Sequence, residues 1–309
     1  ACVMPGPRAQ AAVFGAGLAG AAAVHVALAP GLIWQLALLA PAVAILGLPH
    51  GALDLPMAET LWPLHGPADR VRFFTAYLGL VAGVVALWWL APGAALAAFL
   101  SYSAWHFSGD WEDADALRRA AGGAAVIGAP ALFHQTEVAA IFAYLVPDNA
   151  AEVVAQAAAG AGLATAAVFA ATLLDRAGRI DRPALEQAGL WAGGALLPPL
   201  MFFVVYFCLL HSLRHFAETL PAVRYRQRAL WQLAGVMALA LVGAGLAGGA
   251  LMAFGAPDAE TATLRVVFVG LAALTVPHML LVERFDRMRR ARRMLTQKPA
   301  TDHPAIHVT

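Results

Sequence analysis

The chain has 309 residues, of which 61% are hydrophobic and 13% are charged, and its mean hydropathy is +0.69. Length alone would allow two soluble domains, but this composition excludes them and is typical of a polytopic membrane protein. The formal net charge of +1 gives no indication of nucleic-acid binding. Two distant cysteines, Cys2 and Cys208, indicate neither a disulfide framework nor a thiolate metal site.

Apolar runs near the length that crosses the hydrocarbon core of a bilayer recur along the chain. Nine such segments span residues 11–29, 31–50, 71–91, 93–108, 119–146, 152–174, 187–216, 229–254 and 263–283. Pro30 disfavours signal-peptide cleavage after the first run, so we interpret that run as a membrane helix. The sequence predicts an all-α membrane helix bundle as one domain over residues 1–298, with a disordered tail over residues 299–309.

The placement of arginine predicts the topology, because cytoplasmic loops are enriched in basic residues. Arg8 and the cluster between Arg284 and Lys298 place both termini in the cytoplasm and the protein in the inner (plasma) membrane. Cytoplasmic termini require an even number of crossings, so one of the nine segments must be broken or re-entrant. Segments 119–146 and 187–216 are the candidates, since both contain glycines and prolines. About eight spans are expected.

Histidines with a polar partner four residues later end three of the apolar runs. The pairs are His50 and Asp54, His106 and Asp110, and His211 and His215. Positions i and i+4 share a helix face, and in the predicted topology all four histidines lie at a similar depth on the cytoplasmic side. Four imidazoles without thiolates favour Fe(II), Cu or Zn. The pattern therefore predicts a metal site held by His50, His106, His211 and His215.

Other residues near these motifs have two interpretations each. Asp54 and Asp110 either accept hydrogen bonds from metal-bound imidazoles or cap helix ends. His134 and His278 are either site residues or hydrogen-bonded core residues. Nearby aromatic residues either pack in the core or line an apolar tunnel for a rigid lipophilic substrate; these are Trp105, Phe107, Tyr206 and Phe207.

The three motifs, together with Pro277-His278, resemble the bacteriorhodopsin-related-protein-like family of membrane β-carotene 15,15′-dioxygenases. The resemblance covers about residues 40–290, although between residues 119 and 190 only His134 matches a family motif. It implies O₂-dependent cleavage of the central double bond of β-carotene to two all-trans-retinal molecules, in many cases for a microbial rhodopsin. It also implies Fe²⁺ held by four histidines, at the positions of His50, His106, His211 and His215.

Under this interpretation, β-carotene enters from the lipid bilayer, and a tunnel sets its central bond beside the iron. No general acid or base is required, and apolar helices exclude water. The alternatives are a haem-binding or other metal-binding membrane protein, and a transporter built on broken helices. A di-iron hydroxylase is disfavoured because the chain has no adjacent histidine pair.

Overall fold

The computed structural model describes residues 6–62, 64, 66–175 and 181–297, and all regular secondary structure in these ranges is helical. The predicted tail, residues 299–309, lies outside them. The α-helices are α1 (Pro7–Leu28), α2 (Leu32–Ala42), α3 (Leu48–Gly51), α4 (Asp54–Leu61), α5 (Pro67–Leu90), α6 (Pro92–Phe107), α7 (Ala116–Phe133), α8 (Gln135–Ala143), α9 (Asp148–Asp175), α10 (Arg182–Leu196), α11 (Pro199–Val204), α12 (Leu213–Thr219), α13 (Arg226–Phe254) and α14 (Ala259–Gln297). Two π-helical segments, Val43–Gly47 and Val205–Ser212, and a 3₁₀ turn, Ser108–Trp111, lie between some of them.

The described helices confirm the predicted membrane bundle. Six are long and apolar enough to cross a bilayer: α1, α5, α9, the helix Pro199–Thr219, α13 and the Ala259–Ala291 part of α14. The α7–α8 pair gives a seventh candidate, and the run Leu32–Gly47 is a shorter apolar helix. With α6, these elements account for all nine predicted segments. Large apolar side chains face outward, as lipid contact requires, with Trp89 and Phe254 each 90% exposed.

One of two candidate segments was expected to be broken, and the structure interrupts both of them. The axis bends by 103° between α7 and α8, at His134 and shortly after Pro130, so 116–143 is a broken span or a re-entrant loop. In the other segment α10 ends at Leu196, and a new helix begins at Pro199. Proline cannot donate the backbone hydrogen bond that would continue the preceding helix. The chain can therefore change direction at both sites inside an otherwise apolar run.

Two π-helical segments pack against each other near the centre of the bundle. Val43–Gly47 follows Pro41, whose ring disturbs the hydrogen-bond ladder of α2. A Cβ atom on Gly47 would lie 2.7 Å from Cε1 of Phe207 in the second segment, so only glycine fits there. π-Helical turns place residues five apart on nearly the same face, which an α-helix does not do. This change of register positions side chains of the site described below.

Glycines bring α7 against its neighbours at backbone distance. A Cβ atom on Gly123 would lie 2.1 Å from the carbonyl oxygen of Ala104 in α6. One on Gly128 would lie 2.6 Å from the Cα atom of Gly162 in α9. Small residues at such crossings are typical of membrane helices, where close packing stabilises association. The α6–α7 contact matters for function because α6 carries His106.

Replacement of Gly123 by Ala should therefore destabilise the bundle, because backbone atoms of α6 cannot move aside as a flexible side chain could. We expect a loss of about 1–3 kcal/mol, the usual cost of overpacking, measured by thermal unfolding in detergent. Gly79→Ala is the matched control, since nothing lies within 4 Å of a Cβ atom there on α5. Equal stability of the two variants would contradict the packing described here.

Candidate metal centre

Four described histidine rings meet in a row, and they come from α6, the continuous helix Pro199–Thr219 and α14. The centroid of the His106 ring lies 4.7 Å from that of His211 and 5.6 Å from that of His278. The His278 centroid lies 5.1 Å from that of His215. Each of these pairs is close to perpendicular. The structure therefore brings together three of the four predicted ligands and adds His278 to them.

The side chain of His50 lies outside the described part of the structure, but its backbone is part of α3. That helix packs against α12 and α14, which carry His215 and His278. Its position is thus consistent with the predicted ligand set, which stays a prediction for this residue.

The spacing of the rings fits a transition-metal ion. Imidazole nitrogen binds such an ion at about 2.1 Å, so ring centroids separated by 90–120° around it would lie about 4.5–5.5 Å apart. The observed distances of 4.7, 5.1 and 5.6 Å fall in or next to this range. Within the described residues, no three His, Cys, Asp or Glu side chains already form a complete metal-binding geometry. The donors present are imidazoles, which suit iron, copper or zinc.

Asp110 fixes the orientation of His211. The 3₁₀ turn after α6 carries this carboxylate, which is 6% exposed. Its Oδ2 atom lies 3.2 Å from Nδ1 of His211 and accepts a 2.5 Å hydrogen bond from the Tyr206 hydroxyl. An ionised carboxylate only accepts hydrogen bonds, so Nδ1 of His211 carries the proton and the lone pair is on Nε2. That tautomer is the one required for metal binding through Nε2.

The π-helical segment explains how one carboxylate reaches both Tyr206 and His211. Residues five apart in an α-helix lie about 140° apart around the axis. In the π-helix Val205–Ser212, they lie close to one face, so both side chains contact Asp110. Phe107 packs edge-on against the His211 ring at 4.8 Å. Local helix geometry and aromatic packing together hold this imidazole in place.

The carboxylate of Asp54 makes the same two kinds of contact, to a histidine and to a tyrosine, at His278. Oδ1 of Asp54 lies 2.7 Å from Nδ1 of His278, and Oδ2 accepts a 2.8 Å hydrogen bond from the Tyr77 hydroxyl. Asp54 is 5% exposed and His278 is 3% exposed. Both aspartates therefore contact imidazole nitrogens, as the first of their two interpretations requires, while metal binding by these imidazoles stays a prediction. Their described partners are on distant elements, however, and not on the helix turn suggested by the four-residue spacing.

Arg214 forms a buried ion pair behind the row. Its Nη2 atom lies 2.7 Å from Oε1 of Glu186, and its Nε atom donates to Gln10 at 3.3 Å. Nη1 donates to the backbone oxygen of Asp110. Arg214 is 4% exposed and Glu186 is 2% exposed. This pair connects α1, α10 and α12 to the turn that carries Asp110, and so supports the His211 partner.

The other predicted residues are placed as follows. Tyr206, Phe107 and Phe207 are buried next to His211, and the Phe207 ring stacks on it at 5.8 Å. Trp105 is 54% exposed and stacks on Tyr102. His134 lies at the α7–α8 bend, where Nε2 is 3.2 Å from the carbonyl oxygen of Ala195, and the structure does not bring it into the histidine row.

Several site residues were not found from the sequence: Tyr77, Arg214, Glu186 and Gln10. Arg214 had the clearest signal, because it is a charged residue inside an apolar segment and lies between two histidines. Tyr77 gave no signal, since a tyrosine in a membrane helix is ordinarily a packing or interfacial residue. Tyr77 donates a hydrogen bond to Asp54, and this contact can be seen only in the tertiary structure.

A long apolar cleft of about 1810 Å³ lies beside α2, α5, α13 and α14. Its charged lining residues are Asp148 and Arg265. Its lining residues on α14 run from Ala259 to Leu274, and after α2 they include Leu48. Leu274 precedes His278 by one helical turn, about 6 Å along the axis. The end of the cleft at Leu274, called its inner end below, therefore lies one helical turn along α14 from a member of the histidine row.

The walls of the cleft differ from the predicted tunnel. Glycines of α13 form much of one side: Gly243, Gly245, Gly248 and Gly249. None of the described residues that line the cleft is Trp105, Phe107, Tyr206, Phe207 or His134. The aromatic residues next to His211 are buried around the imidazole and do not border this opening.

The buried ion pair generates a stability prediction. Arg214→Met removes the shorter of two ion pairs of the buried Glu186 and leaves only Arg182, whose Nε lies 4.0 Å from Oε1. This should lower the free energy of unfolding by about 3 kcal/mol, near the lower end of the range for breaking a buried pair. Arg287→Met removes a surface pair with Glu283, where Arg287 is 70% exposed, and should cost about 0–1 kcal/mol. Chemical unfolding in detergent compares the two. Arg214→Met with Glu186→Leu should recover most of the loss, and no recovery would contradict this account.

Comparison with known proteins identifies the family. The family model described as beta-carotene 15,15'-dioxygenase matches residues 41–286, which include the four predicted ligands and His278. A protein of this name from uncultured marine bacterium 66A03 is 28% identical over 256 residues, covering 78% of this chain and 90% of that protein. The "Probable beta-carotene 15,15'-dioxygenase Blh" of Halobacterium salinarum is 32% identical over 302 residues, covering 81% and 85%. No solved structure is significantly similar. The chain belongs to the beta-carotene 15,15'-dioxygenase family.

Proposed function

We propose that this enzyme cleaves the central double bond of β-carotene with O₂, and that it uses Fe²⁺ held by His50, His106, His211 and His215. One observation carries the proposal: four described histidine rings contact one another in a row, with neighbouring centroids 4.7–5.6 Å apart, inside an apolar bundle, in a member of this family. The named relatives are β-carotene 15,15'-dioxygenases, which supports the same substrate here. The products are two all-trans-retinal molecules, and a microbial rhodopsin is a suitable acceptor.

The choice of iron follows from the donor set and the reaction. Four neutral imidazoles leave up to two of six coordination positions open, and an oxygen-activating iron requires at least one. A bound ferrous ion would supply the activation of O₂, for which the side chains of this chain have no substitute. The two hydrogen-bonded aspartates keep their imidazoles in one tautomer and one orientation. Their negative charges also offset the charge of a divalent cation within the apolar bundle.

The apolar cleft supports entry of the substrate from the lipid bilayer. β-Carotene is a long hydrocarbon that partitions into membranes, and a cleft with few charged lining residues suits it. Its inner end adjoins the histidine row, so one half of the polyene can lie along α13 and α14 with the central bond near the ion. The buried surroundings of His211 and His278 exclude water from the reacting atoms. The protein thereby acts by positioning and by solvent exclusion.

We further propose an inner-membrane location with both termini in the cytoplasm. The basic residues of the C-terminal part of α14, from Arg284 onward, support this orientation. The histidine row then lies toward the cytoplasmic side, and the outer end of the cleft lies toward the opposite side of the membrane.

Expression in a bacterium that accumulates β-carotene tests the activity. The wild-type chain should bleach the cells and produce retinal, whereas His106→Ala and His211→Ala should reduce retinal at least about 100-fold, since each removes a proposed ligand. Leu239→Ala on α13 is the control, because Leu239 is 74% exposed and does not line the cleft. Chromatography measures retinal, and metal analysis of the purified protein measures iron.

Retention of wild-type retinal formation by either histidine variant would remove that residue from the ligand set. Iron-loaded wild type that forms no retinal would refute the proposed reaction. A haem absorption band in the purified protein would instead support the haem-binding alternative.

The cleft gives a separate prediction. Gly245→Leu places a bulky side chain in the opening and should lower retinal formation at least about 10-fold without changing bound iron. Gly235→Leu is matched to it, because both glycines lie on α13 with nothing within 4 Å of a Cβ atom, and Gly235 does not line the cleft. Equal retinal formation by the two variants would exclude this path for the substrate.

A further inference from the structure

Two tyrosine–aspartate–histidine sets approach the histidine row from different parts of the bundle. In one, Tyr206 donates to Asp110, which pairs with Nδ1 of His211. In the other, Tyr77 donates to Asp54, which pairs with Nδ1 of His278. The first set holds a proposed metal ligand. The second has the same chemistry, although its histidine is not one of the four residues to which we assigned the iron.

We infer that His278 is a further ligand of the ion, so that α14 contributes directly to the metal centre. The inference rests on the proposed function only in assuming that a metal is bound. His278 would bind through Nε2, because Nδ1 donates its proton to Asp54 and the lone pair is then on the other nitrogen. The Nε2 atoms of His106, His211 and His278 are all buried.

The ring contacts of His278 distinguish it from an isolated core histidine. It is perpendicular to the His106 ring at 5.6 Å and nearly perpendicular to the His215 ring at 5.1 Å, so it lies between two proposed ligands. A packing histidine needs a hydrogen-bond partner, but it does not need imidazoles on both sides. An ion that binds His106 and His215 would have His278 between them.

The charge at Asp54 supports the same assignment. A buried carboxylate is costly unless a cation lies nearby. Among the described residues the ion pair of Asp54 is with His278 alone, and the Tyr77 hydroxyl that also contacts it is neutral. His278 therefore either serves only as a structural partner of Asp54 or transmits the charge of a bound divalent ion to it. The parallel with Asp110 and His211 favours the second arrangement.

Cobalt binding to the full-length protein in detergent distinguishes these two roles. Co²⁺ reports its ligands through visible absorption, so the readout does not depend on carotenoid cleavage. His278→Ala should bind Co²⁺ at least about 10-fold more weakly than wild type, with an altered absorption band. Added imidazole should restore the wild-type band by occupying the vacated position. Leu280→Ala on the same helix is the control, since Leu280 is 43% exposed.

A second variant keeps the test decisive if His278→Ala does not fold. His278→Gln retains an N–H donor for Asp54 but has no imidazole, so it should show the same weakened binding and changed band. Tyr77→Phe leaves the imidazole in place and removes one hydrogen bond to Asp54, so it should change the affinity less than either. Wild-type affinity and absorption in folded His278→Ala or His278→Gln would overturn the inference.

The outcome separates this inference from the proposed function. If the wild type binds Co²⁺ through His278 but forms no retinal when it is loaded with iron, the proposed reaction is refuted. The assignment of His278 as a ligand then still stands. If the wild type forms retinal but the His278 variants bind Co²⁺ as the wild type does, His278 is not a ligand and the proposed reaction still stands.

Discussion

The structure depends on the need to satisfy two carboxylates inside an apolar bundle. Asp54 and Asp110 are each less than 10% exposed, and a buried carboxylate without hydrogen-bond donors is costly. Their donors come from elements far away in the chain, so the hydrogen bonds fix how α4 meets α5 and α14, and how the turn after α6 meets Val205–Ser212. The contacts that orient the imidazoles are therefore also contacts that hold the helices in register. The same hydrogen bonds to Asp54 and Asp110 thus support both the stability of the bundle and the geometry of the site.

Hydropathy and proline placement predicted the helices, because lipid imposes a length and a composition on each span. Glycine and proline marked the segments that contain His134 and Pro198 as the two candidates for a single break, whereas the structure interrupts both. The partners of the carboxylates were not foreseen. Spacing of four residues put Asp54 on the same helix face as His50, but the observed hydrogen bond joins it to His278, 224 residues away. Sequence spacing describes neighbours on one helix, whereas tertiary packing decides which donor reaches a buried acceptor.

Neither the π-helical register nor the buried ion pair could be predicted from the sequence. Tyr206 and His211 are five residues apart, which in an α-helix would put them on different faces. Two hydrogen-bonding residues at that spacing in an apolar run were a signal for a π-helix that only the structure made clear. Glu186 looked like an ordinary acidic residue in the first turns of a helix. Its burial follows from Arg214, whose partner could not be assigned from one sequence.

The position of the cleft bears on regioselectivity in the proposed reaction. A conjugated polyene presents many similar double bonds, so the chemistry at the ion alone cannot select the central one. From Ala259 to Leu274 the cleft follows α14 for about 22 Å, and His278 lies one turn further. The depth to which one end group can enter would then decide which bond stops beside the histidine row. The glycines of α13 keep this length open, so small residues that favour helix packing elsewhere act here by leaving space. Selectivity for the centre of the substrate would accordingly be a property of cleft length, set on α13 and α14, and separable from the imidazoles that hold the metal.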